Sequence, residues 1–109
     1  MEKNEKIFVT GHDEMIGSAI MRRLKENGFT RLTTGISSGL DLTYQKAVEK
    51  FFITERPDYV FLTSSMIGGI LANSQHPAEF IYANLMSQTN VIHNAWKSGV
   101  KKLLFLASS

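Results

Sequence analysis

Short apolar runs alternate along the chain with stretches of helical periodicity. Four runs are rich in β-branched and aromatic residues, which is typical of buried strands. They are "KIFVT" (Lys6–Thr10), "RLTT" (Arg31–Thr34), "YVFLT" (Tyr59–Thr63) and "KLLFLAS" (Lys102–Ser108). The turn-rich segment "GISSGLDLT" follows the second run and could hide one more very short strand at Leu40–Leu42.

The stretch after the first run has the apolar spacing of an amphipathic helix. The residues that recur at three- and four-residue steps are Ile16, Ala19, Ile20 and Leu24. Asn27-Gly28 follows, and this pair is a good stop signal, so we predict that the helix ends there.

Two further helices are predicted. Thr43 is a suitable N-cap for a helix over Tyr44–Glu55, which Pro57 would terminate. The inward side of this helix would carry Ala47, Val48, Phe51 and Phe52. The longest helix is predicted over Pro77–Ser98, with proline at its first position and Gly99 as its stop.

The regular alternation of strands and helices predicts the fold class. It indicates one domain over residues 1–109, an α/β fold with a Rossmann-like, doubly wound parallel sheet that is incomplete at about four strands and three helices. We expect the strand order 2-1-3-4, which places Lys102–Ser108 at an edge. Because this last run is apolar without interruption, as in strands with neighbours on both sides, we expect more sheet to follow it.

The turn "VTGHDEMIGSAI" between the first strand and the first helix is the best candidate for a binding site. In a strand–turn–helix dinucleotide site, the first glycine makes the tight turn and the last allows close helix packing, roles that Gly11 and Gly17 can fill. Asp13 and Glu14 lie between them and would repel phosphates. Two alternatives that involve no ligand stay open. The glycines serve only to make the turn and to let the helix pack closely, and the carboxylates are exposed loop residues that interact favourably with the helix N-terminus.

Composition narrows the classes of function. The chain has 109 residues, of which 43% are hydrophobic and 20% charged, an ordinary globular balance. The net charge is only +2 and the basic residues are scattered, which argues against nucleic-acid binding. No apolar run has membrane-spanning length, "MEKNEK" lacks a secretory signal and cysteine is absent, so we expect a cytoplasmic protein. His12, His76 and His93 lack metal-ligand spacing, so no metal site is expected.

Longer blocks resemble a known family over nearly the whole chain. These blocks are "KIFVTGH", "MIGSAI", "LDLT", "RPDYVFL", "GGILAN", "PAEFIYANLM", "NVIHNAW" and "GVKKLLFLASS". They are similar to the N-terminal third of the GDP-L-fucose synthases, NADPH-dependent epimerase/reductases of the extended short-chain dehydrogenase/reductase family. The resemblance implies a Rossmann cofactor-binding portion, with the substrate domain absent from this chain.

The resemblance also implies roles for individual residues. Ser108 matches the family's catalytic serine, which hydrogen-bonds the substrate carbonyl. NADP would be bound by Gly11, Met15, Ile16, Gly17, Asp41, Leu42, Thr63 and Ser64. In the full-length family the substrate is a nucleotide sugar, GDP-4-keto-6-deoxy-mannose.

The resemblance implies that the helix over Pro77–Ser98 belongs to a dimer interface, so we expect this chain to self-associate. Asn84 and Asn90 on that helix could contact cofactor or substrate, or simply form a polar helix surface.

Departures from the family pattern cluster where NADP would lie. They are Asp13, Glu14, Ser37, the stretch Thr63–Ser65, Met66 and Ala107. Because two of them are carboxylates near expected phosphates, we predict weak NADP binding. No tyrosine is followed by lysine at the Tyr-x-x-x-Lys spacing, so we expect this chain alone to be inactive. The alternative is a non-enzymatic Rossmann-type binding or interaction module with a degraded cofactor site.

Overall fold

A computed structural model describes residues 2–11, 15–35, 39–64 and 77–107. Within these ranges the chain alternates strands and helices, as the apolar pattern predicts. The elements are β1 (Ile7–Val9), α1 (Met15–Glu26), β2 (Leu32–Thr33), α2 (Gln45–Glu55), β3 (Tyr59–Ser64), α3 (Pro77–Ser98) and β4 (Lys102–Ala107).

The strands form one parallel sheet in the order β2-β1-β3-β4, which confirms the predicted order. Ile7 pairs with Leu32 on one side and with Tyr59 on the other, so β1 is an inner strand. The longest ladder joins β3 to β4, from Tyr59 opposite Lys102 to Ser64 opposite Ala107. Because all strands run the same way, their carboxyl ends meet at one edge of the sheet.

The two faces of the sheet carry separate apolar clusters, as expected for a doubly wound fold. Alternate residues of β1 supply both, because side chains on a strand point to opposite faces. Ile7 and Val9 join Leu24 of α1 on one face. The other face holds the larger cluster, whose buried members are Phe8, Val48, Phe51, Phe52, Val60, Leu62, Val91 and Ala95.

Three phenylalanines form the centre of the larger cluster. The ring centroids of Phe8 and Phe51 lie 4.6 Å apart, and Phe52 meets Phe8 edge-on at 5.7 Å. The prediction that Val48, Phe51 and Phe52 face inward is confirmed, while Ala47 is half-buried. The spacing of these apolar residues on α2 therefore places the helix against the sheet.

Two local predictions are wrong, and one carboxylate explains both. Leu40–Leu42 is not a strand, and Thr43 does not cap α2. Oδ1 of Asp41 accepts hydrogen bonds from the Thr43 amide at 3.0 Å and from its hydroxyl at 2.7 Å. This side chain-to-backbone turn replaces an extended conformation and occupies the Thr43 hydroxyl, so Tyr44 becomes the N-cap residue without a side-chain cap.

The edge strand β4 is only half covered. Leu104 and Phe105 are 45% and 42% exposed, although the uninterrupted apolar run is typical of strands with both faces buried. α3 adds an outward-facing apolar stripe at helical spacing, formed by Tyr82, Leu85, Ile92 and Trp96.

No helix in the described ranges is long and apolar enough to cross a membrane.

Candidate functional site

The carboxyl edge of the sheet gathers most of the residues that the sequence singles out. Gly11 follows β1, Ser64 ends β3 and Met15 begins α1. Loops at this edge of an open parallel sheet form the usual ligand crevice. Residues 12–14, 36–38, 65–76 and 108–109 lie outside the described residues, and with them the predicted roles of Asp13, Glu14, Ser37, Met66 and the catalytic Ser108.

The glycine turn has the backbone features of a phosphate-binding turn at both of its ends. Gly11 has a φ of 68°, in the left-handed region that residues with a side chain rarely adopt. Gly17 is buried in α1, which packs against β1. The first turn of α1 carries no acidic residue, and Met15, 71% exposed, and Ile16, 37% exposed, lie beside its N-terminus. These described residues fit a dinucleotide whose pyrophosphate meets the helix N-terminus.

A pair of threonines joins the ends of β1 and β3 at the same edge. The Thr63 amide donates to Oγ1 of Thr10 at 2.9 Å, and the Thr63 hydroxyl donates to the Thr10 carbonyl at 2.9 Å. Thr63 is a predicted cofactor contact, whereas Thr10, which is 4% exposed, is not among the predicted site residues. Sequence alone offers no signal for this pairing, because the two residues are 53 positions apart.

The segment predicted to lie near the adenine forms an ordered turn. Asp41 is exposed, and its hydrogen bonds from the Thr43 hydroxyl and amide lower the pKa of its carboxyl group below the ordinary value. The carboxylate is therefore negative at neutral pH. Leu42 is half-buried and packs against the larger apolar cluster, while its carbonyl points to α3.

Gly35 leaves room for Leu40, which packs against the larger apolar cluster next to this segment. Its φ is 80°, and a Cβ atom added there would come within 2.9 Å of Cδ2 of Leu40. The Leu40 amide donates to the Gly35 carbonyl at 3.1 Å. A side chain at position 35 would clash with Leu40, so this glycine helps position the predicted adenine segment.

Asn90 is a structural residue rather than a polar surface residue. It is 7% exposed, and its Nδ2 donates to the Leu42 carbonyl at 2.9 Å. Asn94, one turn later and also buried, donates from Nδ2 to the Asn90 carbonyl at 2.8 Å. The alternative of simple helix-surface polarity is therefore wrong for Asn90, whereas Asn84 is partly exposed.

No metal site is found among the described residues. They contain no cluster of three or more His, Asp and Glu side chains that could hold a metal ion. His93 is exposed on α3, and its ring centroid lies 6.0 Å from that of Trp96. The other two histidines, His12 and His76, lie outside the described ranges.

Comparison with known proteins gives a consistent family assignment. The profile of the NAD dependent epimerase/dehydratase family matches residues 7–109. GDP-L-fucose synthase 1 of Arabidopsis thaliana is 56% identical over 108 residues, and GDP-L-fucose synthase of Escherichia coli is 45% identical over 105 residues. These alignments cover 99% and 96% of this chain but 33% of each relative, so the chain spans about a third of their length.

The fold also matches solved structures. The GDP-mannoheptose C4 reductase from Campylobacter jejuni, solved with NADP bound, superposes with a TM-score of 0.82 at 44% identity. The match covers 96% of this chain and 33% of the reductase. The resemblance to the GDP-L-fucose synthases and the incomplete Rossmann-like fold are therefore both confirmed.

Proposed function

The chain belongs to the NAD dependent epimerase/dehydratase family, and on that basis we propose that it is the NADP-binding segment of a GDP-sugar epimerase/reductase of the GDP-L-fucose synthase type. One observation carries the proposal. Gly11 has a left-handed backbone conformation and lies between the end of β1 and the start of α1, at the carboxyl edge of the sheet. Backbone amides and the positive end of a helix dipole at this place favour a bound pyrophosphate.

Separate groups of residues would hold different parts of NADP. Gly11, Met15, Ile16 and Gly17 would surround the pyrophosphate. Asp41 and Leu42 would lie along the adenine side, on the turn that Asn90 ties to α3. Thr63 and Ser64, at the end of β3, would lie along the cofactor towards the nicotinamide. NADPH supplies the hydride for the reductase reaction of such enzymes when it is bound.

The chemistry that this chain itself can contribute is small. Ser108 would donate a hydrogen bond to the carbonyl oxygen of a GDP-linked keto sugar and so stabilise developing negative charge. A reduction also needs a proton donor, and the chain contains no Tyr-x-x-x-Lys pair to supply one. We therefore propose that these residues bind cofactor without turning over substrate. We propose that the protein is located in the cytoplasm. The substrate of the complete enzyme would be a nucleotide sugar.

Affinity for NADP is proposed to be weak. Asp13 and Glu14 occupy the glycine turn, and like charges close to a phosphate cost on the order of a few kcal/mol at an effective dielectric of about 20. Replacing Asp13→Arg together with Glu14→Gly removes both carboxylates and adds a guanidinium that binds phosphate. We expect this double variant to bind NADP at least about tenfold more tightly, which corresponds to about 1.4 kcal/mol.

Isothermal titration calorimetry with NADP on both proteins tests this proposal. The control is Glu26→Gln, an exposed carboxylate at the far end of α1. Tighter binding by the double variant and an unchanged control would support the site. Equal affinity of the two proteins would show that the phosphates do not bind at this turn.

The second candidate is a non-enzymatic Rossmann-type interaction module. Asp13 and Glu14 favour it, because two carboxylates in the glycine turn oppose the binding of a phosphate. This candidate predicts that neither the chain nor the double variant binds NADP or NADPH. The same calorimetric titration therefore discriminates between the two functions.

A further inference from the structure

The junction between β1 and β3 ends in an unusual hydrogen-bond arrangement. The Thr10 amide donates to the Phe61 carbonyl at 3.0 Å, as the parallel ladder requires. In a regular parallel ladder the next bond would run from the Thr63 amide to the Thr10 carbonyl. Here two hydroxyl groups replace it: the Thr63 amide donates to the Thr10 hydroxyl oxygen, and the Thr63 hydroxyl donates to the Thr10 carbonyl.

This substitution affects the first peptide of the glycine turn. The carbonyl of Thr10 and the amide of Gly11 belong to one peptide plane, and no described peptide bond is cis. In a trans peptide the C=O and N–H bonds point in opposite directions. By holding the Thr10 carbonyl towards β3, the Thr63 hydroxyl directs the Gly11 amide away from β3.

We propose that Thr63 is a positioning residue for the glycine turn. Its hydroxyl donates to the carbonyl that the ladder would pair with the Thr63 amide, and so holds the orientation of the Thr10–Gly11 peptide. The role rests on the proposed function, since the turn is where NADP would bind. It also differs from the direct cofactor contact predicted from the sequence, because Thr63 acts through the backbone of Thr10.

The experiment compares three forms of the chain and one control variant. Thr63→Val keeps the shape of the side chain and removes the hydroxyl, whereas Thr63→Ser keeps the hydroxyl. Thr89→Val is the matched control, because the Thr89 hydroxyl also donates to a backbone carbonyl, that of Leu85 at 2.7 Å, on an exposed part of α3. The readouts are the NADPH dissociation constant, amide hydrogen exchange at Thr10 by NMR, and the melting temperature.

Thr63→Val is expected to weaken NADPH binding about fivefold, the effect of one ordinary hydrogen bond. It should also speed exchange of the Thr10 amide, whose bond to the Phe61 carbonyl closes the same junction, by a similar factor. Thr63→Ser should restore both quantities to within about twofold, and Thr89→Val should change neither. Wild-type affinity and wild-type exchange in Thr63→Val would overturn the proposal, as would a failure of Thr63→Ser to restore them.

The two proposals fail in distinguishable ways. If the wild-type chain does not bind NADPH, the proposed function is wrong, and hydrogen exchange alone decides the role of Thr63. Faster exchange at Thr10 in Thr63→Val, with a melting temperature that falls no more than in Thr89→Val, would then support the positioning role. Unchanged exchange at Thr10 would overturn it.

Discussion

Asn90 is buried and makes a partly buried hydrogen bond whose removal should have a measurable cost. The substitution Asn90→Ala deletes the Nδ2 group that donates to the Leu42 carbonyl at 2.9 Å. Leu42 packs against the larger apolar cluster, and Asn90 is 7% exposed, so water cannot easily replace the donor. The bond joins residues 48 positions apart and holds the predicted adenine segment against α3.

The expected destabilisation follows from the unpaired carbonyl. A buried acceptor left without a partner costs about 1–3 kcal/mol. For a chain of 109 residues, with an unfolding entropy of about 2.1 cal/mol/K per residue, this corresponds to a fall in melting temperature of about 4–13 °C. Asn90→Asp should cost at least as much at neutral pH, because it sets a carboxylate oxygen against the same carbonyl.

Urea unfolding followed by circular dichroism measures the free energy of unfolding directly. Asn84→Ala is the matched control, since it makes the same change on the same helix at a partly exposed position. We expect the control to stay within about 0.5 kcal/mol of the wild type. A loss below about 0.5 kcal/mol for Asn90→Ala would refute the conclusion that Asn90 is structural and would reopen its assignment as a ligand contact.

Three further predictions concern charge, association and catalysis. The Lys101 ammonium binds the Glu5 carboxylate, and this hydrogen bond, followed by one from the Glu2 amide, lowers the pKa of Glu5 below its ordinary value of 4.5. The stability that this interaction contributes is present above pH 4.5 and is lost as pH falls through the lowered pKa. Lys101→Met should therefore make the free energy of unfolding depend less on pH in this acid range, whereas the control Lys102→Met should not. Because Trp96 is 77% exposed in the apolar stripe of α3, the wild type should self-associate, and Trp96→Glu should reduce the association. Light scattering coupled to size exclusion measures this, and a wild-type monomer at every concentration would contradict the expectation. The chain should oxidise NADPH with GDP-4-keto-6-deoxy-mannose no faster than buffer, because it has no Tyr-x-x-x-Lys pair, and protein-dependent turnover would contradict this.

Local signals predicted the elements of the fold well. α3 has the predicted bounds, because Pro77 suits a first helical position and Gly99 adopts the left-handed conformation that stops a helix. The ends of the strands differ from the predicted ones by at most one residue, which is within the ordinary uncertainty of such boundaries. The failure at Thr43 is also local in origin, because Asp41 competes for the hydroxyl that would have capped α2.

The candidate site was only partly predictable, because its supporting contacts are long-range. Gly11 and Gly17 could be found from their positions between a strand and a helix. The roles of Asn90 and Thr10 depend on partners 48 and 53 positions away, and no periodicity in a single sequence reports such pairs. Thr63 was selected for a cofactor contact by resemblance, yet its hydroxyl donates to the backbone of a neighbouring strand.

The most direct test of the central claim is to map NADP binding on the chain by ¹H–¹⁵N NMR. During a titration with NADP, we expect the amide signals of Gly11, Met15, Ile16 and Gly17 to shift together with those of Asp41 and Leu42. Amides at the opposite end of the sheet, such as Glu5 and Lys101, should not shift. Absence of any shift at millimolar NADP, or shifts confined to residues away from the carboxyl edge, would contradict the claim that this glycine turn is a cofactor site.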